Sequence, residues 1–71
     1  MSDYLLDVEY MRAQMKRHGW RQTHLAKALG VSVETLYKWS SGKAQPRARF
    51  QVALIHHLKA DGDKLFKPAS P

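Results

Sequence analysis

The sequence predicts an all-α domain of four to five short helices packed around a single core. Apolar residues recur at three- and four-residue spacing along most of the chain, the period of a half-buried helix, and no stretch alternates as a strand would. Gly19, Gly30 and Gly42 each follow such a stretch, where a chain most readily leaves a helix in a left-handed conformation. Asp7, Ser32 and Asp61 stand where N-caps are wanted. With 71 residues there is room for one core and no more.

Each element follows from these signals. The first helix carries Val8, Met11 and Met15 on one face, is capped by Asp3 or Asp7, and runs to about His18. The second begins near Gln22, with Trp20 and Leu25 in hydrophobic-staple positions, and packs Leu25, Ala26 and Leu29. Its N-cap slot holds Arg21, a poor choice by intrinsic preference. Ser32 caps a third helix over Val33 to Ser41, with Leu36 and Trp39 as its apolar stripe. Val31 and Leu36 form a second staple across that cap. Pro46 begins or immediately precedes a fourth helix, which runs to about Ala60 with Ala48, Val52, Ile55 and Leu58 as its core stripe. Asp61 caps a last short turn whose Leu65 and Phe66 tuck onto the core. The domain therefore spans 1–66, and 67–71, with two prolines, form a flexible C-terminal tail. No sheet is expected.

The stretch from Gln22 to Trp39 resembles the Cro/repressor-type (XRE-type) helix-turn-helix of phage and bacterial regulators. The likeness rests on Gln22, Leu25, Ala26, Leu29, Gly30, Val31, Leu36 and Trp39 at the apolar, small and turn positions. With the flanking helices it covers roughly residues 7–66. It implies a compact lambda-repressor-like DNA-binding domain whose third helix enters the major groove. Many members pair an arginine of the first helix with a glutamate near the end of the third. Met15 and Ser40 stand there instead, so no charge is orphaned.

Charge placement agrees with that implication. The net charge is +6, and between Arg12 and Arg49 nine cations face a single acid, Glu34. The other five acids lie near the two ends, which makes the middle of the chain a footprint for a polyanion. If docking follows the resemblance, Ser32, Val33, Glu34, Thr35 and Lys38 read base edges. Lys38 can donate to guanine, Glu34 can accept from cytosine, and Val33 or the Thr35 methyl can meet a thymine methyl. Tyr37 fits a phosphate or the core edge equally well. Gln22 is carried over as a backbone clamp, and Lys43, Arg47, Arg49 and Ser41 meet the same strand, with Arg21 and Lys27 behind them. Arg12, Lys16 and Arg17 read as a solvated face. Phe50 and Leu54, with His57 beyond, form a second apolar line on the fourth helix. It serves either as a homodimer contact or to close the monomer core.

The chain has no cysteine, which excludes disulfides and thiolate metal sites. No apolar run reaches the length of a signal core or a membrane span, so a cytoplasmic protein is expected. His18 and His24 are six apart and His56 and His57 adjacent, which is not ligand spacing on one helix face. Asp61-Gly62-Asp63 lacks the remaining ligands of a calcium loop. Ser, His and Asp are not arranged as a catalytic set. Neither enzyme activity, metal, cofactor nor small-molecule ligand is expected. The leading function is a sequence-specific double-stranded DNA-binding regulator, a repressor acting as a dimer on an inverted-repeat operator. An antitoxin or accessory factor that also holds a protein partner, and a pure interaction module, compete with it.

Overall fold

The computed structural model describes residues 4–68. Strand β1 (Tyr4–Leu6) is followed by α1 (Val8–Arg17), α2 (Gln22–Leu29), α3 (Val33–Ser40), α4 (Ala48–Leu58), α5 (Gly62–Leu65) and strand β2 (Phe66–Pro68). Met11, Leu25, Leu36, Leu54, Leu58 and Leu65 are fully enclosed, and Met15, Ala26, Leu29 and Trp39 complete the centre. Every one of the five helices therefore sends at least one residue into the same core.

The first four helices end in the same way. In each, a residue in the left-handed region follows the last turn, its N–H returns to the carbonyl three back, and the next N–H reaches the carbonyl five back. Gly19, Gly30 and Gly42 supply that residue after α1, α2 and α3; after α4 it is Lys59, at φ 49°. At Gly30, φ is 75° and the Val31 N–H closes on the Ala26 carbonyl at 3.0 Å, which sets the turn from α2 into α3.

Three expectations are corrected. The α4 stripe is half right: Leu58 is fully buried and Ile55 packs against the core as expected, but Val52 is 68% exposed and Ala48 is also exposed, and Leu54 is fully buried in their stead. Leu54 lies 200° from Val52 on an ideal helix (about 100° per residue), so the two cannot both face the core. The chain also forms a small antiparallel sheet, with Leu6 opposite Phe66 and Leu5 opposite Lys67. Leu6 and Phe66 point inward and are buried, which gives these short segments a reason to pair. Lys67 and Pro68 consequently belong to the domain and not to a loose tail, and Lys67 Nζ meets the Asp7 carboxylate at 3.1 Å. The rest of the expected tail, and Asp3 as a cap, lie outside the described residues; the cap of α1 is Asp7, which accepts from the Tyr10 N–H at 3.0 Å.

Gln14 is a core residue that periodicity did not mark. It is buried on α1 and donates through Nε2 to the carbonyls of Leu58 and Lys59 at 3.1 and 3.4 Å, latching α1 to the end of α4. The Trp20 indole N–H makes a parallel link to the His57 carbonyl at 3.1 Å.

Candidate nucleic-acid interface

Helix α3 buries Leu36, Trp39 and Ser40 and presents the opposite side to solvent. Glu34, Tyr37, Lys38 and Ser41 are exposed, and the spacing i, i+3, i+4, i+7 makes them one continuous face. Tyr37 is half exposed and stands with Glu34 and Lys38 on this face. The signal for it was its helical phase relative to Leu36 and Trp39.

The other expected base-readers are tied down. Ser32 Oγ accepts from the Thr35 N–H at 3.1 Å and lies 3.0 Å from Thr35 Oγ1, so the two hydroxyls are paired with each other at the cap. Val33 is partly buried against the core and does not lie on the outward face. Ser41 donates its hydroxyl proton to the Lys38 carbonyl at 3.2 Å.

Lys43, Arg47 and Arg49 stand on a loop and helix start that are held in place. Gln45 Oε1 accepts from the Leu6 N–H at 2.9 Å, and Pro46 is fully buried. All three cations are exposed, and the Arg49 guanidinium lies 4.8 Å from the centre of the Phe50 ring. Arg21 and Lys27 are exposed on α2, with Gln22 half-buried at its first position.

The helix starts divide into two kinds. Asp7, Ser32 and Asp61 each cap their helix with a side-chain oxygen. Helices α2 and α4 have Arg21 and Arg47 at the N-cap, no side-chain cap and no acid in the first turn. A cation at the positive end of a helix dipole is unfavourable alone and leaves the first N–H groups free for an anion.

The expected dimer line is largely committed within the monomer. Leu54 has no exposure and cannot touch another chain, which corrects that assignment. Phe50 is half-buried, its ring 5.5 Å from Trp39, and His57 packs edge-on against Trp20 at 5.8 Å. Among the described residues no group of His, Asp or Glu comes together to hold a metal ion, and no helix is long and apolar enough to cross a membrane.

Residues 8–65 match a family described as a helix-turn-helix domain. No curated protein matches the chain. Among solved structures, a protein from Bacteroides fragilis provisionally described as DNA-binding is similar, with a TM-score of 0.73 at 23% identity over 90% of this chain and 98% of that one. At that identity the likeness is one of fold.

Proposed function

The chain belongs to the helix-turn-helix domain family, and from that premise we propose that it is a sequence-specific double-stranded DNA-binding regulator of the Cro/repressor type. The observation that carries the proposal is the pairing of an outward α3 face, Glu34, Tyr37 and Lys38, with two uncapped, arginine-led helix starts. The face supplies a donor, an acceptor and an aromatic edge for base recognition. The uncapped starts, with Gln22, Lys43, Arg47 and Arg49, supply the phosphate contacts that fix register. Ser32 and Thr35 act mainly by fixing the first turn of α3, and Arg21 and Lys27 add charge.

One α3 helix covers only about half a turn of duplex, so the protein acts as a cytoplasmic two-fold pair on an inverted repeat, with recognition helices about 34 Å apart. Occupying a promoter in this way makes it a repressor. Selection of binding sites from a random duplex pool tests the reading. Enriched inverted repeats are expected, with preferences that shift when Lys38 or Tyr37 is replaced by alanine. Absence of binding to any duplex at low salt would refute it.

A further inference from the structure

Helix α1 and the start of α2 enclose an open groove of about 440 Å³, lined by Arg12, Met15, Lys16, Trp20, Arg21 and Gln22. The sequence reads Arg12, Lys16 and Arg17 as one solvated face. The structure separates them: Arg12 and Lys16, one turn apart on α1, line the groove with Arg21, and Arg17 does not. Among the described residues the ion pair formed is that between Lys67 and Asp7, so none of the three groove cations is neutralised by a carboxylate. Met15 and Trp20 add low-dielectric surface, and the Trp20 N–H is already committed to the His57 carbonyl. Apolar walls around like charges raise the local potential and draw a counter-anion.

A second observation points to a ligand. The side-chain carbonyl oxygen of Gln22, Oε1, is buried without a hydrogen-bond partner. A buried acceptor in a groove lined by exposed guanidinium and ammonium groups is satisfied when one of them swings over it. Each such group carries several N–H donors and can bridge Gln22 to an anion. The uncapped start of α2 contributes Arg21 and Gln22 to the same groove, and its first backbone N–H groups have no side-chain cap.

We propose that this groove is a second phosphate-binding site, in which Arg12 and Lys16 of α1 hold a backbone phosphate of the DNA flanking the segment read by α3. It rests on the DNA-binding reading above and extends the contact surface from the helix-turn-helix pair onto the first helix. A phosphodiester is favoured over an acidic protein surface because the groove adjoins the arginine-led start of α2. There a single tetrahedral oxyanion can meet cations and backbone N–H groups together.

The test compares Arg12→Gln/Lys16→Gln with the charge-matched Arg17→Gln/Lys64→Gln, whose residues are exposed and lie outside the groove. Duplex affinity is measured from about 50 to 200 mM salt for several DNA sequences, with circular dichroism confirming that both variants fold. The groove variant is expected to bind all sequences more weakly by the same factor. Its log–log salt slope should be shallower by about 2, one unit for the phosphate given up by each protomer of the two-fold pair, which makes the affinity loss over that range about tenfold smaller. The charge-matched variant should keep a slope close to wild type. A groove variant with wild-type affinity and slope would overturn the site while leaving the DNA reading intact. Equal losses in both variants would also overturn it, as a general charge effect. A wild-type protein that binds no duplex at low salt would bring down both readings, and binding of an acidic polypeptide lost only in the groove variant would then identify a protein surface as occupant.

Discussion

Replacing Leu54 with alanine and, separately, Val52 with aspartate tests the rotational setting of α4, on which the whole core depends. Leu54 is fully enclosed, and truncating such a leucine costs about 2–5 kcal/mol through lost burial and the cavity left behind. A chain of this length holds its fold by roughly 4–10 kcal/mol, so Leu54→Ala removes a large part of the total. In a domain of this size each kcal/mol moves the melting temperature by about 4–8 °C, which predicts a fall of roughly 10–40 °C. Val52 is 68% exposed and stands one turn from Arg49 and His56. An aspartate there should change stability by no more than about 0.5 kcal/mol. Thermal and urea unfolding followed by circular dichroism, at two protein concentrations, measure both. If Val52→Asp costs about 2 kcal/mol or more at every concentration, or Leu54→Ala less than about 1 kcal/mol against the roughly 2–5 expected for a core leucine, the helix phase is wrong. A loss that vanishes on dilution would instead mean that a second copy covers Val52.

Arg21→Ser should stabilise the free protein by about 0.5–2 kcal/mol, by giving α2 a side-chain cap, and weaken duplex binding; equal or tighter binding would remove Arg21 from the interface. Gln14→Leu keeps the bulk but leaves the Leu58 and Lys59 carbonyls without their donor, a loss of about 1–3 kcal/mol in urea unfolding. Lys59→Gly should raise stability by up to about 1 kcal/mol, since φ 49° is strained for any side chain but free for glycine. Asp7 is held below its ordinary pKa of 3.8, first by the Tyr10 backbone N–H and then by Lys67. Its contribution is therefore fully present above that value and lost as pH falls below it through the lowered folded-state pKa, so the acid limb of a stability–pH curve should flatten in Asp7→Asn.

The helix-turn-helix pair was legible because its determinants are local. Leu25, Ala26, Leu29, Gly30, Ser32 and Leu36 fix two helices and their turn within fifteen residues of sequence. Helix α4 was legible as a helix but not in its phase. It carries two apolar lines, Ala48-Val52-Ile55-Leu58 and Phe50-Leu54, and tertiary packing against α1, α2 and Trp39 of α3 selects between them, drawing in Leu54 and Leu58 and leaving Ala48 and Val52 outside. Gln14 gives no signal, because a polar residue looks the same in sequence whether water or a carbonyl is its partner. The terminal sheet is similarly silent: three-residue strands are too short to alternate, and their stability comes from Leu6 meeting Phe66 across sixty residues of chain. On α3, periodicity sorted Glu34 and Lys38 correctly to the outside. It could not tell that Ser32 and Thr35 would satisfy each other, or that Val33 would lean inward.

The bare starts of α2 and α4 have a thermodynamic consequence. Two helices whose first turns are completed only from outside make the folded state itself a function of what is bound. A duplex at one hundred times its dissociation constant would add about 2.7 kcal/mol to the folding free energy. Against a total of roughly 4–10 kcal/mol, that is a substantial fraction. On the proposed function, the unoccupied protein would be the species most open to local unfolding and proteolysis, and the DNA-bound protein the protected one. Occupancy of its DNA site would then set not only what this protein controls but how long each copy survives.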